Sequence, residues 1–189
     1  MPAPSTPLLT ERLVLRPYEA ADALVFFTVL NESRGRLLAS FPDRLLAVAT
    51  LADAQRQLVA FANDWRTGRF YVFGIWQRTT ATYLGDICLM PQQASQAEIG
   101  YYLAAEAEGQ GYAREALGAI VAFGREVVRA RRLLIRCFAD NVRGQAVAKA
   151  LGFAPEAMPP VPNPRPWLRL PFREKQPEPA AILHFVRAA

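Results

Sequence analysis

Apolar residues recur every three or four positions between residues 113 and 128, and this spacing predicts an amphipathic helix. The residues on its apolar face are Ala113, Ala116, Leu117, Ile120, Gly124, Val127 and Val128. The preceding run at 97–104 is apolar and aromatic, as expected of a strand. Between the two lies a short segment with Gly109 and Gly111, so the pattern predicts a strand, a glycine-containing turn and a helix in succession.

Similar patterns predict the remaining elements. Strands are expected at 13–16, 70–77, 83–89, 133–138 and 181–186, and helices at 20–31, 51–66 and 143–151. Thr50 or Asp53 is expected to cap the start of the second of these helices, and Gly68 to end it. Residues 32–50 are expected to form an irregular loop. Hairpin strands followed by strand–helix units predict an α+β fold in which helices pack on a sheet.

Composition narrows the class of protein. A chain of 189 residues with 52% apolar residues fits one domain over 1–189 with a buried core. No run is long and apolar enough to span a bilayer, and the N-terminus lacks a secretory pattern, so we expect a cytoplasmic protein with no membrane partner. Cys88 and Cys137 fall in apolar runs, which predicts buried free thiols. With a single histidine in the chain, no metal site is expected.

The net charge of +5 raises the question of nucleic-acid binding. Arginines cluster at Arg125, Arg129, Arg131, Arg132 and Arg136. No aromatic-rich RNA-binding strand and no helix-turn-helix signature accompanies them. We therefore expect a solvated face near a helix end, or a surface that attracts a polyanionic ligand, and no nucleic-acid partner.

Residues 109–114 are the strongest candidate for a binding site. Glycines between a strand and a helix let successive backbone N–H groups turn toward one point without an obstructing side chain. Together with the positive end of the helix dipole, those groups suit a phosphate. A tight turn capped by a small residue accounts for the same glycines without any ligand, so this motif alone leaves both interpretations open.

Four segments together resemble the GNAT N-acetyltransferases, in particular the branch that includes the ribosomal-protein N-terminal acetyltransferases. They are the opening strand at 10–17, the strand at 84–89, the glycine loop at 109–113, and Asn141 followed by 151–153. The family's loop pattern is Gln/Arg-x-x-Gly-x-Gly/Ala. Gly111 and Ala113 fit the end of that pattern, whereas Glu108 stands at the Gln/Arg position. The resemblance runs from about residue 8 to residue 154.

The resemblance implies a mixed, mostly antiparallel, twisted sheet of about seven strands with helices on both faces. It implies an enzyme that transfers an acetyl group from acetyl-CoA, a co-substrate, to a primary amine on a protein N-terminus or a small molecule. Transfer would be direct, in a ternary complex and without a metal. The residues that it assigns to acetyl-CoA are the backbone of Tyr102, Leu103 and Ala104, the loop Gly109, Gln110, Gly111, Tyr112, Ala113 and Arg114, and the side chains of Asn141 and Lys149. An exposed helix lysine is the alternative for Lys149.

The resemblance also supplies a candidate base. Glu98 lies where some family members carry a catalytic glutamate, and its apolar neighbours disfavour a charged carboxylate, which suits a base. A structural carboxylate that faces solvent on alternate strand positions is the competing interpretation. Asp86 and His184 are weaker candidates for the same role.

Neither of the family's usual proton donors is present. A tyrosine is common where this chain has Ala148, and a serine is common where it has Gly144. Three explanations remain open: water protonates the leaving thiolate, Tyr101 or Tyr112 substitutes, or activity is reduced. The last of these favours a second hypothesis, a CoA-binding module with weak or no catalysis. A basic nucleic-acid-associated protein is a third hypothesis, with no motif to support it.

The segment 155–179 differs in composition from the rest of the chain. It holds nine of the 15 prolines, which is too many for a helix or a central strand. One interpretation is a surface loop. The other is a modified lip of the acceptor site or a contact with a second subunit in a homodimer.

Overall fold

In the part of the chain that the computed structural model describes, residues 7–38, 42–156 and 182–188, eight strands form one sheet. The strands are β1 (Leu8–Leu9), β2 (Leu13–Arg16), β3 (Tyr71–Gln77), β4 (Tyr83–Pro91), β5 (Gln96–Leu103), β6 (Arg132–Phe138), β7 (Ala154–Glu156) and β8 (Ile182–Ala188). The helices are α1 (Ala23–Glu32), α2 (Arg34–Leu37), α3 (Pro42–Ala47), α4 (Leu51–Thr67), α5 (Tyr112–Glu126) and α6 (Val142–Ala150). Strand order is β1-β2-β3-β4-β5-β6-β8-β7.

The sheet is antiparallel except at β5 and β6, which run parallel. These two strands pair from Gln96 with Arg132 to Ile99 with Ile135. Within the described ranges no pairing continues beyond that point, although both strands do, and β6 remains paired with β8 to its end. The chain therefore leaves an opening between the carboxyl ends of β5 and β6, which we call the slot.

Each face of the sheet carries its own hydrophobic core. One core contains the inner face of α5, whose Leu117 and Ile120 are fully buried. The other contains α1 and α4, through side chains such as Phe26 and Phe61. Gly124 lets α5 lie close to the sheet, because a Cβ at that position would stand 2.9 Å from Leu89 Cδ1. Helices on both faces confirm the predicted α+β layering, and the sheet has eight strands rather than about seven.

The predicted boundaries of α4 are confirmed by its caps. Thr50 Oγ1 accepts a hydrogen bond from the backbone N–H of Asp53, and the Asp53 carboxylate accepts one from the Thr50 N–H, which together form a capping box. Gly68 ends the helix with φ of +70°. Both predicted capping residues thus act in one motif.

The expectation of an irregular loop over 32–50 is wrong, because α2 and α3 lie within it. Arg34 links the two helices: its Nη1 donates to the Leu45 carbonyl at 2.9 Å, and its Nη2 donates to the Val48 carbonyl at 2.6 Å. Helices of four and six residues are too short to give a periodic apolar pattern, so the sequence carried no signal for them.

The Pro-rich segment lies mostly outside the described residues, which resume at 182. Its first two residues, Pro155 and Glu156, belong to β7 at the edge of the sheet, where a strand tolerates a proline. Both cysteines are buried free thiols. No helix in the described ranges is long and apolar enough to cross a membrane.

Candidate active site

The glycine loop lies at one end of the slot, between β5 and α5. Gly109 and Gly111 both have positive φ, +75° and +82°, a conformation that side-chain-bearing residues rarely adopt. Gly111 is the N-cap of α5, so it offers no side chain to the first N–H groups of the helix. Because those N–H groups have no partner within an α-helix, the start of α5 presents several donors at the positive end of the helix dipole. This geometry suits an anion.

The loop is anchored to the β1–β2 turn by Glu115. Its Oε1 accepts hydrogen bonds from Thr10 Oγ1 at 2.6 Å and from the Arg12 N–H at 2.7 Å, and its Oε2 accepts one from Arg12 Nε at 2.7 Å. Arg12 Nη1 also donates to the Gln110 carbonyl at 3.0 Å. Burial acts to raise the pKa of Glu115, but the hydrogen bonds from Thr10 and Arg12 outweigh it and lower the pKa. Sequence reasoning missed this anchor because its partners are 105 and 103 residues away.

The β5 edge of the slot offers backbone groups. Ala104 N–H donates to the Leu84 carbonyl at 2.8 Å and is therefore committed to β4. The Leu103 carbonyl instead accepts from Arg36 Nη2, a side chain of α2, at 3.1 Å. Of the three backbone positions predicted to contact pantetheine, Leu103 thus has a carbonyl that faces away from β4. The Tyr102 side chain is buried, and its hydroxyl lies 3.2 Å from that of Tyr83.

The opposite edge of the slot carries Asn141, the N-cap of α6. Asn141 Oδ1 accepts a hydrogen bond from the Gly144 N–H at 2.9 Å, and among the described residues Nδ2 has no hydrogen-bond partner. A Cβ at Gly144 would stand 2.8 Å from Asn141 Nδ2 and 3.0 Å from Cys137 Sγ. The place of the family's serine is therefore already filled by these two side chains. Ala148 is completely buried in the α5-side core, so a tyrosine there has no space either.

A cavity of about 640 Å³ opens at the slot. Its polar wall includes Arg44, Glu98, Tyr101, Cys137 and Asn141, and its apolar wall includes Phe61 and Phe70. The cavity reaches the α1–α4 side of the sheet, so it joins the two edges of the slot to a partly aromatic chamber. A concave cavity with a few polar groups on a largely apolar wall is suited to binding small molecules.

Two of the predicted proton-transfer residues line this cavity. Glu98 Oε1 accepts from Arg136 Nε at 2.5 Å, and Glu98 Oε2 accepts from Gln92 Nε2 at 2.9 Å, so both carboxylate oxygens are engaged. Burial raises the pKa of the Tyr101 phenol, which keeps it protonated near neutral pH. Tyr112 does not line the cavity; its hydroxyl lies 3.4 Å from Gln77 Nε2.

The weaker base candidates are placed less favourably. Asp86 has no exposed surface, and both of its oxygens accept from Arg44 Nη1 at 2.6 Å. Tyr18 donates a third hydrogen bond to Asp86 at 3.1 Å. Burial raises the pKa of Asp86, against the opposing effect of Arg44. His184 lies on β8 opposite Arg136 and is not among the residues that line the cavity.

The remaining residues that were predicted to bind CoA do not line the cavity at the slot. Arg114 and Gly111 line a second, open cavity of about 510 Å³ on the outer face of α5. Gln110 Nε2 donates to the Glu106 carbonyl at 2.6 Å, which closes the turn before the loop. Lys149 lines neither cavity; its Nζ lies 5.9 Å from the centre of the Phe185 ring.

The chain resembles proteins of a known family. The family described as an acetyltransferase (GNAT) domain matches residues 12–154. The chain belongs to the GNAT acetyltransferase family. This GNAT protein is accordingly an N-acetyltransferase, which transfers an acetyl group to an amine. An uncharacterized N-acetyltransferase of Bacillus subtilis (strain 168), YoaA, is 25% identical to it over 153 residues, or 80% of this chain and 84% of the relative.

Solved structures share the fold over nearly the whole length. A Vibrio cholerae protein provisionally named a ribosomal-protein-serine acetyltransferase is 26% identical, with a TM-score of 0.72, and the match covers 99% of each chain. The microcin C7 self-immunity acetyltransferase MccE, solved with acetyl-CoA and AMP, has a TM-score of 0.76 at 19% identity, and the match covers 100% of this chain and 98% of that one.

Proposed function

We propose that this GNAT protein transfers the acetyl group of acetyl-CoA directly to a primary amine, with both substrates bound at once. The observation that carries the proposal is the slot: a glycine loop at the start of α5 lies at one end, and a cavity of about 640 Å³ lies at the other. A ligand with an anionic end and a reactive thioester end matches these two ends of the slot. MccE, which shares the fold, was solved with acetyl-CoA.

The CoA-binding roles follow from the groups that face the slot. The pyrophosphate takes the N–H groups at the start of α5, between Gly109 and Arg114. The pantetheine arm lies along the slot, between the Leu103 backbone and Asn141 Nδ2. The open cavity beside Arg114 takes the nucleotide end, where a guanidinium suits a phosphate.

Acetyl transfer requires a base for the amine and a donor for the leaving thiolate. Glu98 is our proposed base, because it is an acidic side chain that lines the cavity. Gln92 and Arg136 fix its carboxylate, and it takes a proton by exchanging one of those hydrogen bonds. Tyr101 is our proposed donor, since its phenol lines the cavity and its raised pKa keeps the O–H in place to donate a hydrogen bond to the developing thiolate.

The acceptor is an amine that enters from the α1–α4 side. The cavity offers aromatic surface at Phe61 and Phe70, and an amine bound there can approach the Glu98 carboxylate, its proposed base. The Vibrio cholerae neighbour is named for a ribosomal-protein acceptor. A protein N-terminus is therefore our first candidate acceptor, and a small-molecule amine is the second.

A panel of N-terminal peptides and small amines, assayed for CoA release from acetyl-CoA, tests the proposal. We expect turnover on at least one acceptor, with a saturating dependence on both substrates. Tight CoA binding without turnover on any acceptor would select the alternative of a CoA-binding module. Glu98→Gln should lower kcat by about 10²-fold while leaving CoA affinity within twofold of the parent, since general-base catalysis contributes about 10²–10⁴-fold. An unchanged kcat and pH profile would make Glu98 structural.

A further inference from the structure

Glu108 is the residue at which the glycine loop departs from the GNAT pattern, and it is bonded to two arginines. Arg36 of α2 donates Nη1 to Glu108 Oε1. Arg143, in the first turn of α6, donates Nη1 to Glu108 Oε2 at 3.2 Å. We call these three residues the clasp.

The clasp spans the slot. Glu108 follows the end of β5, whereas Arg143 follows the end of β6, and these are the two strands that diverge. The bond between Glu108 and Arg143 therefore joins the two edges of the opening. Arg36 lies beside the first edge, where its Nη2 also donates to the Leu103 carbonyl. The clasp thus lies across the slot, and it also occupies one backbone acceptor of the slot, the Leu103 carbonyl.

The charges of the clasp do not balance. Two guanidinium groups share one carboxylate, which leaves a net charge of +1 next to the unpartnered N–H groups of the loop. Guanidinium forks match phosphate oxygens as well as they match a carboxylate. All three side chains are partly exposed, with exposed fractions of 42% for Arg36, 35% for Glu108 and 85% for Arg143, so their ion pairs are weak and exchangeable.

We propose that Glu108 holds Arg36 and Arg143 while the slot is empty and releases both arginines to the phosphates of CoA. The inference rests on the proposed function, since it assigns two side chains to the same CoA site. When Arg36 leaves Glu108, it also leaves the Leu103 carbonyl, and that acceptor becomes free for the pantetheine arm. The same displacement of Arg36 therefore both binds a phosphate and opens the slot.

Calorimetry with two ligands, CoA and pantetheine, tests the clasp, because pantetheine lacks the phosphates. Arg36→Gln and Arg143→Gln should each weaken CoA binding about tenfold, as expected for one charge-assisted hydrogen bond. Glu108→Gln should strengthen CoA binding by up to about fivefold, since the two exposed ion pairs no longer have to break. Pantetheine affinity should stay within twofold in Arg143→Gln. In the triple variant with both arginines replaced, the gain from Glu108→Gln should vanish.

Matched controls are Glu106→Gln and Arg125→Gln, two exposed residues of the same charges outside the clasp. Both should keep the parent CoA affinity, and thermal unfolding should show that every variant is folded. If the parent binds CoA while the three clasp variants match the controls, or if Glu108→Gln weakens CoA binding, the clasp is overturned and the proposed function stands. If the parent itself does not bind CoA at millimolar concentration, the proposed function fails.

Discussion

The two ends of the slot differ in whether backbone or side-chain groups form them. The CoA end consists largely of backbone, with the Gly109–Gly111 turn and the start of α5, and its side chains are mostly exposed. The acceptor end is lined largely by side chains, and one of them, Arg44, forms a buried ion pair with Asp86, with exposed fractions of only 9% and 0%. A site formed by backbone groups depends on the conformation of the chain for binding. A site that contains a buried ion pair also affects the stability of the folded protein. Substitutions at the two ends should therefore fail in different ways.

The largest expected effect is on folding, at the acceptor end. Arg44→Met should lower the free energy of unfolding by about 3–5 kcal/mol, because it leaves the Asp86 carboxylate buried without its cation. Denaturant unfolding measures the loss. Arg56→Met is the control: Arg56 is 72% exposed and pairs with Asp53, so its loss should cost less than about 1 kcal/mol. Equal losses in the two variants would show that the buried pair contributes no more stability than an exposed one.

At the CoA end, the largest expected effect is on binding. Gly111→Leu should weaken CoA binding roughly a hundredfold, equivalent to two lost hydrogen bonds to a charged group at about 1.5 kcal/mol each. The new side chain must adopt φ near +82°, and its Cβ would lie 3.3 Å from Arg12 Nη2. The strain should cost about 1–3 kcal/mol of stability, so the variant remains folded at 25 °C.

Calorimetry on Gly111→Leu needs a companion variant on the same helix. Ala122→Leu is suitable, because Ala122 is exposed on α5 and lines neither cavity. We expect Ala122→Leu to bind CoA as the parent does. Unchanged affinity in Gly111→Leu would remove the glycine loop from the site.

The same contrast explains what the sequence could predict. Backbone sites need glycines at fixed spacing between periodic elements, and that pattern is local, so the strand, the turn and α5 could be predicted. The acceptor end depends on Arg44 meeting Asp86 across 42 residues, and α3, which carries Arg44, is too short to show a period. Gly144 could be recognised as a departure from the family. Only the structure shows that Cys137 and Asn141 fill the space that a side chain at position 144 would need.

A smaller effect is expected at the junction of the two ends. Tyr101→Phe should lower kcat about tenfold with little change in CoA affinity, because a thiolate is a tolerable leaving group and needs its proton only in the transition state. Since burial raises the pKa of Tyr101, its phenol does not titrate between about pH 6 and about pH 9. The ratio of parent to variant kcat should therefore be constant over that range. A ratio that changes with pH would assign the donor role elsewhere.

The smallest expected effect separates scaffolding from binding at the CoA end itself. Glu115→Gln should lower the free energy of unfolding by about 1 kcal/mol at neutral pH, because it weakens the hydrogen bonds from Thr10 and Arg12. The pKa of Glu115 is lowered in the folded protein, so its stabilising contribution is complete above its unfolded value of about 4.3. The contribution is lost as the pH falls through the lower, folded value. The stabilities of parent and variant should therefore converge in acid.

Denaturant unfolding at pH 7 and at about pH 3 measures that convergence, with Glu126→Gln as the control at the exposed far end of α5. The control should differ from the parent by less than about 0.5 kcal/mol at both pH values. If Glu115→Gln lowers the free energy of unfolding equally at both pH values, then packing, and not the charge, holds the loop to the β1–β2 turn. CoA affinity adds the deciding comparison: it should fall only slightly in Glu115→Gln, since the N–H groups of the loop remain in place. A fall as large as that of Gly111→Leu would show that the backbone geometry at the CoA end depends on this one carboxylate, and the distinction between a backbone-built end and a side-chain-built end would then be wrong.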